Sequence, residues 1–291
     1  MARLKLQIYV RMVKDGVRLD DMKLNIFDSH THSDNSPDGN HSVSYLCEKA
    51  IEKGIMGFAV TDHFECDLVE EGHDTRLRQS AFETELARAT FGSSVRIAKG
   101  IELAQPQMFP DVAQSILSEI SFDVVLGSVH SLEAGKDLFY VDFNDPGVVV
   151  TDILEGYYQA NLDLARWNGF DSLAHLGYAE RYIWGKYRIP FRYERYMDLI
   201  DETLRTLIHN GKALEVNTSG YRYGLGHSTP DRAVLARYRQ LGGELITLGS
   251  DAHLAQDIGA DFNVAMDLLL DLGYEYFAFY KDRKPVMLRL L

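Results

Sequence analysis

Histidines and acidic residues recur at short, regular spacings in this sequence. His30 and His32 form an H-x-H pair, and Asp251 and His253 form a second pair with the same spacing. Alternate residues of an extended strand point to the same face, so each pair can direct two side chains at one metal ion. Each pair alone is a weak indication, because a single buried histidine is more often a hydrogen-bonded core residue than a metal ligand.

These pairs follow segments that the sequence predicts to be β-strands. Short apolar or β-branched runs bounded by turn residues predict seven strands, near residues 24–28, 56–61, 95–101, 122–129, 171–175, 213–217 and 245–249. Amphipathic helical segments lie between them, the clearest at residues 42–53, 151–167, 193–209 and 231–241. Alternating strands and helices predict a parallel α/β sheet, and seven repeats favour closure into a barrel.

The two ends of the chain lie outside this pattern. Residues 4–13 precede the turn signal Lys14-Asp15-Gly16 and are compatible with a hairpin, while Met22 would serve as a natural start. Residues 1–23 are therefore expected to be an extension to a single domain spanning 24–291. Residues 276–280 and 286–290 predict a closing strand pair without chemistry.

Six of the seven predicted strands lead to side chains that can bind a metal. In chain order these are His30, His32, His63, Glu102, His130, His175, Asp251 and His253. Adjacent residues on a strand face opposite ways, so we expect His63 to point inward and Asp62 to support it. Asp38 adds a carboxylate on the first loop. Because the carboxyl ends of parallel strands meet at one rim, the constellation predicts one metal site.

The other histidines are interpreted differently. His41, His73 and His209 lie away from the strand ends and are expected to be surface or capping residues. His227 is left open between a structural and a catalytic role. The prediction of a metal site therefore depends on the histidines that follow strands.

The composition bounds the class of protein. The 291 residues carry 30 Lys and Arg against 43 Asp and Glu, a net charge of −13, with 46% hydrophobic residues. This is a globular composition without an apolar run long enough to span a membrane, and Cys47 and Cys66 are too few for a disulfide scaffold, so a cytoplasmic location is expected. The acidic charge favours a small substrate over a nucleic acid partner. No oligomeric state is predicted.

The motifs together resemble the PHP family, named for polymerase and histidinol phosphatase. They are Asp28-Ser29-His30-Thr31-His32, Asp38, Thr61-Asp62-His63, Glu102, Gly127-Ser128-Val129-His130, His175 and Gly249-Ser250-Asp251-Ala252-His253. Tracts at 174–181, 215–222 and 283–285 are similar to those of the monofunctional histidinol-phosphatases. The resemblance implies a distorted TIM-like (β/α)7 barrel that holds up to three divalent ions.

The resemblance also implies how the ligands divide among the ions. The implied sets are His30, His32, Glu102 and Asp251; Glu102, His130 and His175; and Asp38, His63 and His253. Glu102 would bridge two ions, and some relatives carry histidine where this chain has Asp38. Nine side chains with one bridging supply about ten bonds, so water and substrate would complete three ions of coordination four or five. Mixed imidazole and carboxylate ligands suit Zn, Mn or Fe without choosing among them.

The implied activity is hydrolysis of a phosphomonoester, with histidinol phosphate from histidine biosynthesis as the first choice. Hydroxide generated from water at the metal ions would attack phosphorus. Glu102, Asp251 and His253 are the expected catalytic residues. Protonation of the leaving group is left open between metal-bound water, Asp251 and His227.

Substrate contacts are expected from residues beyond the ligand sets. Arg181, and second to it Arg222, would bind the phosphate, because a guanidinium pairs with phosphate oxygens in a forked geometry. Glu215 and Asn217 would bind the ammonium and imidazole of histidinol phosphate. An aromatic residue would stack on the ring, with three candidates: Trp184, Tyr221 and Tyr223.

Three other functions remain open. The first is an amidohydrolase that breaks C–N bonds, although Glu102 and the third set of ligands exceed what one or two metals need. The second is another PHP phosphoesterase, acting on a different small phosphomonoester, a nucleic acid or phosphotyrosine. The third is a binding module stabilised by metal but without activity.

Overall fold

The computed structural model describes residues 24–69 and 72–290. The strands in these residues are β1 (Leu24–Thr31), β2 (Ile55–Val60), β3 (His63–Glu65), β4 (Arg96–Ala104), β5 (Val124–Ser128), β6 (Ser172–Leu173), β7 (Ala213–Asn217), β8 (Ile246–Gly249), β9 (Tyr276–Lys281) and β10 (Lys284–Arg289). The helices are α1 (Val43–Glu52), α2 (His73–Phe91), α3 (Pro110–Glu119), α4 (Val150–Trp167), α5 (Tyr178–Glu180), α6 (Met197–Asn210), α7 (Ser219–Arg222), α8 (Arg232–Gln240) and α9 (Phe262–Asp271). None of these helices is long and apolar enough to cross a membrane. The predicted extension 1–23, with its hairpin, lies outside the described residues.

The predicted strands form a closed, mostly parallel barrel. Seven of the strands run in the order β1-β2-β4-β5-β6-β7-β8. At their carboxyl ends Thr31 bridges Ala252, and the amide of His32 donates to the Ala252 carbonyl at 2.9 Å. At the other end β9 pairs with β8, and its Phe279 stacks on Phe27 of β1 with ring centroids 4.4 Å apart. The expected (β/α)7 barrel is confirmed, and β9 distorts its closure.

Local sequence signals set the helix boundaries. The Ser42 side chain accepts from the amide of Tyr45 at the start of α1, and the Asp231 carboxylate accepts from Val234 at the start of α8. Gly211 adopts a φ of 64° at the end of α6, a conformation that glycine reaches without steric cost. These signals set where α1 and α8 begin and where α6 ends, just before β7.

The terminal strands close the amino-terminal side of the barrel as predicted. β9 and β10 pair antiparallel around a turn in which Asp282 and Arg283 have φ values of 51° and 61°. The Asp123 carboxylate accepts from the Asp282 amide at 3.0 Å, and Arg283 donates to Asp171 and to the Gly169 carbonyl. Arg283 thus holds the hairpin to the barrel, on the side away from the metal-binding motifs.

Two short elements were not predicted. β3 pairs with β4 in a register that sets His63 beside Glu102. After β6, α5 continues directly into a π-helical segment, Arg181–Lys186. Short π-helical segments often occur at functional sites, and both elements border the rim that carries the candidate ligands.

Candidate metal centre

The structure brings all nine predicted ligands together at the carboxyl ends of the strands. Seven of them line a cavity of about 610 Å³, and His30 and His32 lie behind Glu102 and Asp251. His30 and Glu102 belong to strands, and the others lie in short segments that follow them or, for His63, in β3. Six of the nine are buried: His30, His32, Glu102, His130, His175 and Asp251.

The first ligand set is compact. The Nε2 atoms of His30 and His32 are 3.0 Å apart, and Glu102 Oε2 lies 3.3 Å and 3.5 Å from them. Asp251 Oδ1 lies 3.8 Å from His30 Nε2 and 3.4 Å from His32 Nε2. His30 Nδ1 contacts Glu215 at 2.8 Å and His32 Nδ1 contacts Ser36 at 3.2 Å. With Nδ1 held in this way, both Nε2 atoms face the same point.

The second set meets at the other oxygen of the same glutamate. Glu102 Oε1 is 3.0 Å from His130 Nε2 and 2.7 Å from His175 Nε2. His130 Nδ1 is held by Glu65 Oε1 at 2.8 Å. The two oxygens of Glu102 therefore face two different ligand sets, as a bridging carboxylate would.

The third set lies at the mouth of the cavity. The Asp38 carboxylate is 3.5 Å from His63 Nε2 and 3.1 Å from His253 Nε2. Its side chain is 60% exposed. His63 Nδ1 is also 2.8 Å from Glu102 Oε2, so this set touches the first. The structure thus brings together the members of each predicted set and joins the sets into one cluster.

The donor arrangement fits divalent cations. Glu102 Oε2 is buried and accepts no hydrogen bond of good geometry, although ring nitrogens of His30, His32 and His63 lie within 3.5 Å of it. An unsatisfied buried carboxylate oxygen is costly unless a cation neutralises it. Imidazole and carboxylate donors are the ligands that Zn, Mn and Fe share. These residues therefore suit a cluster of such ions.

The imidazoles and carboxylates of the cluster shift one another's pKa. Burial lowers the pKa of His30, His63 and His130, but the carboxylates around them raise it well above its usual range, so these three would release protons on binding metal. Burial raises the pKa of the Glu102 carboxyl, but His130, His30 and His63 together hold that pKa well below its usual range. Burial and the neighbouring His63 and His253 lower the pKa of His32. An ionised carboxylate and an unprotonated imidazole are the forms that bind metal.

A comparison with models of known protein families assigns the segment that carries most of these ligands to one family. A model described as the PHP domain matches residues 28–219. The chain belongs to the PHP domain family. The matched segment contains seven of the nine predicted ligands of this PHP domain, and Asp251 and His253 follow it. Family membership favours the PHP interpretation over an amidohydrolase.

Relatives of this PHP domain match it over most of their length. It is 29% identical over 253 residues to a probable histidinol-phosphatase of Thermotoga maritima, covering 87% of this chain and 95% of that protein. It is 27% identical over 265 residues to the histidinol-phosphatase of Lactococcus lactis subsp. lactis, covering 88% and 95%. A crystal structure of the histidinol phosphate phosphatase from L. lactis with zinc, L-histidinol and phosphate shares the fold, with a TM-score of 0.74, 22% identity and coverage of 91% and 100%.

Asp62 supports the PHP rim differently from expectation. Its carboxylate accepts from the Ser33 amide and hydroxyl, both at 2.6 Å, from Ser36 at 2.8 Å and from Ser80 at 2.5 Å. Ser36 Oγ in turn accepts from the His63 backbone amide at 3.1 Å. Asp62 therefore organises the loop after β1 and reaches the histidines only through Ser36.

Glu215 and Asn217 are corrected from substrate contacts to positioning residues. Both side chains are fully buried. Glu215 binds His30 Nδ1, the His175 amide at 2.8 Å and the Asn217 side chain at 3.1 Å, and neither Glu215 nor Asn217 lines the cavity. Gly249 makes this contact sterically allowed, since a Cβ there would lie 2.0 Å from Glu215 Oε1. No pattern in the sequence indicates that Glu215, within β7, is buried.

The two arginines separate in space. Arg181 lines the cavity and donates to Asp251 Oδ2 at 2.9 Å, while its Nε has no partner. Arg222 donates to the backbone carbonyl of Ser250 and lies 3.7 Å from the Asp257 carboxylate. Arg222 is not among the cavity-lining residues, so its expected role in phosphate binding is replaced by support of the segment that carries Asp251.

Other predicted residues lie apart from the cluster. His227 and Trp184 line a separate cavity of about 300 Å³ beside Glu180, whose pKa burial raises to about 8. His227 is therefore not among the residues that line the cavity of the candidate ligands. Tyr223 lines the cavity that holds the candidate ligands, 4.8 Å from the Arg181 guanidinium. Of the aromatic candidates, Tyr223 alone lines that cavity among the described residues.

Three histidines and one further polar residue lie outside the predicted ligand sets. The prediction that His73 is a surface or capping residue is wrong, because its side chain is buried and lines the cavity. His209 is exposed, and His41 accepts from the Ala255 amide at 3.2 Å, as expected. Sequence reasoning missed Gln105, which donates to Glu65 at 2.9 Å and accepts from the His130 amide at 3.2 Å.

Proposed function

We propose that this PHP domain hydrolyses histidinol phosphate to histidinol and phosphate, using up to three divalent ions. The observation that carries the proposal is the cluster of nine donors, with Glu102 at its centre, beside the buried Arg181 on the same cavity. Relatives named histidinol-phosphatase cover most of this chain. The L. lactis protein of the same fold was crystallised with L-histidinol and phosphate, which supports this choice of substrate.

The ligands would hold the ions in the three sets implied by the motifs. When bound, divalent ions neutralise the phosphate oxygens and lower the pKa of water. Glu102 contributes one oxygen to each of two neighbouring sets, so it fixes their separation. Zn, Mn and Fe all fit this donor set. Asp38 lies at the mouth, where an exposed carboxylate can join or leave the coordination with little rearrangement.

Arg181 would bind the phosphate. Its guanidinium contacts Asp251 and Ser219 through one nitrogen, and its Nε has no partner. A guanidinium held on one side by a carboxylate can present its remaining N–H groups to phosphate oxygens. The rings of Tyr178 and Tyr223 lie 5.2 Å and 4.8 Å from it and restrict its motion.

Protonation of the leaving group falls to solvent in the cavity. Burial alone raises the pKa of Asp251, but His30 and Arg181 hold it well below its usual range, so this carboxylate carries no proton to donate. Glu102, Asp251 and His253 act as ligands in this proposal. We also propose that residues 24–291 form one hydrolase domain, because the described strands share one closed sheet.

Turnover across a panel of phosphomonoesters tests the function. Metal content is measured on the same sample of protein reconstituted in turn with Zn, Mn and Fe. We expect histidinol phosphate to show the highest kcat/KM, and an active preparation to contain between one and three ions per chain. Equal or lower kcat/KM for histidinol phosphate on metal-loaded protein would reject the substrate. Absence of phosphate release with every metal would reject the hydrolase.

A further inference from the structure

The cavity extends beyond the metal donors to a wall of aromatic side chains. Tyr178 and Tyr182 meet nearly edge to face, with centroids 5.0 Å apart and planes at 78°. Phe139 packs edge to face on Tyr182 at 5.8 Å and on Tyr140 at 4.9 Å. All four rings line the same cavity as Glu102 and Arg181. The aromatic wall therefore extends the cavity away from Glu102 and Arg181, into a region lined by these four rings. We call this region the organic end of the cavity.

This wall carries one acidic group that serves no ligand histidine. The Asp137 carboxylate accepts from the Phe139 amide at 2.7 Å and from the Tyr178 hydroxyl at 3.1 Å, and both donors are uncharged. The other acids on the cavity are committed, three to the ligand sets and one to His130: Asp38, Glu102, Asp251 and Glu65. Asp137 thus offers a negative charge to whatever occupies the organic end.

We propose that Asp137 and the aromatic wall bind the cationic organic end of the substrate while the metal sets and Arg181 bind its phosphate. This inference rests on the proposed function. The organic part of histidinol phosphate has an ammonium group and a flat imidazole ring. A carboxylate stabilises the former by a charge-assisted hydrogen bond, and aromatic faces attract both. The Lys186 ammonium, 5.7 Å from the Phe139 ring centroid, is a cation already placed against this wall.

The test separates binding of the organic end from chemistry at phosphorus. Asp137→Asn removes the charge but keeps an oxygen that can accept from the Phe139 amide. We expect the KM for histidinol phosphate to rise about 10- to 100-fold, as for loss of a hydrogen bond to a charged group. We expect kcat and metal content, and the KM for phenyl phosphate, to stay within about twofold. Similar losses for both substrates would overturn the inference.

A matched control lies on the same segment. Asp142 is exposed, accepts from the Asn144 amide at 3.0 Å as Asp137 does from Phe139, and does not line the cavity. Asp142→Asn should leave KM for both substrates unchanged. Phe139→Leu is a second variant that keeps the carboxylate, and it should raise the KM for histidinol phosphate more than that for methyl phosphate, which has neither a ring nor a cation. An equal effect on both would count against the aromatic wall.

Phosphoethanolamine distinguishes the inference from the proposed function, because it has an ammonium but no imidazole. If histidinol phosphate is a poor substrate, yet phosphoethanolamine is preferred to phenyl phosphate and Asp137→Asn removes that preference, the proposed function fails and the inference stands. If histidinol phosphate is the best substrate and Asp137→Asn leaves its KM unchanged, the proposed function stands and the inference fails.

Discussion

Glu102 is the residue on which the metal cluster depends most. Its two oxygens face separate groups of histidines, and Oε2 is buried without a well-formed hydrogen bond. We predict that Glu102→Gln removes most of the bound metal and lowers kcat by orders of magnitude, because a neutral amide cannot bridge two cations. Metal per chain after dialysis, measured by elemental analysis, checks this. A variant with normal metal content and turnover would refute the bridging role.

Glu65 provides the matched comparison for that variant. It contacts His130 Nδ1 at 2.8 Å but belongs to no predicted ligand set. Loss of a carboxylate that orients a ligand histidine commonly costs about 10- to 100-fold in metal affinity or activity. Glu65→Gln should therefore weaken metal binding measurably yet retain the cluster at saturating metal, in contrast to Glu102→Gln.

Spacing along the chain predicted which side chains meet at the rim but not the residues that orient them. H-x-H and D-x-H pairs lie on the same strand exit, so alternation alone places both side chains on one face. Glu65 and Gln105 act on His130 from different segments, across sequence separations of 65 and 25 residues. Such contacts depend on register between strands, which the local pattern does not encode. The prediction that Glu215 contacts substrate missed its contacts with His30 and His175 for the same reason, because its burial in the barrel depends on how the strands pair.

At the scale of elements, the rim is built from residues that turn the chain sharply. Gln105, His175 and Asp251 follow β4, β6 and β8 with φ values of 54°, 27° and 55°. Non-glycine residues in this region are strained, and such strain concentrates at functional sites. The strain turns His175 and Asp251 toward the cavity at the point where each strand ends. Contacts of the His175 amide with Glu215 and of the Asp251 amide with the His30 carbonyl hold these turns.

Asp62 anchors the first part of the loop after β1, and the effect of its replacement is a prediction at this scale. Asp62 accepts four hydrogen bonds that join this loop and α2 to the end of β2. Asp62→Asn replaces one acceptor oxygen by a donor, so at least one serine hydroxyl loses its partner. We predict a loss of about 1–3 kcal/mol in the free energy of unfolding. Urea denaturation and faster amide exchange at residues 33–36 would show it.

Asp34 lies on the same loop and controls for the change of charge. Its side chain is exposed, unlike that of Asp62. Asp34→Asn should stay within about 0.5 kcal/mol of the parent protein. Equal stability of the two variants would mean that Asp62 does not anchor the loop.

The sequence predicted the elements better than their irregularities. The strand predicted at 213–217 has those bounds in the structure, and the strand predicted from residue 95 begins at Arg96 but continues to Ala104. β3 has only three residues, too few for an alternation pattern, and it owes its extended form to pairing with β4. The π-helical segment at 181–186 likewise shows no periodicity in its sequence from which it could be predicted. These two irregular elements place His63 and Arg181.

Over the whole molecule, barrel closure concentrates opposing charges in one place. Buried carboxylates of Glu102 and Asp251 meet ligand imidazoles donated by strands that are distant in sequence. Burying these groups together carries a desolvation penalty, and hydrogen bonds within the protein offset only part of it. Bound divalent cations would offset the rest of this cost, so we expect metal to stabilise the fold as well as to serve the reaction.

Removal of metal is therefore predicted to destabilise the whole barrel. Ligand held at about a thousand times its Kd stabilises a native state by about 4 kcal/mol, so chelation should lower Tm by about 5–15 °C, and added Zn or Mn should restore it. Because imidazoles must be unprotonated to bind metal, the loss should be larger at pH 8 than at pH 6. Differential scanning calorimetry of metal-loaded and chelated protein measures both.

The Glu102→Gln variant is the control, and chelation should lower its Tm much less. An unchanged Tm in protein shown to be free of metal would mean that the hydrogen bonds from Glu215 and Glu65 suffice to hold the rim.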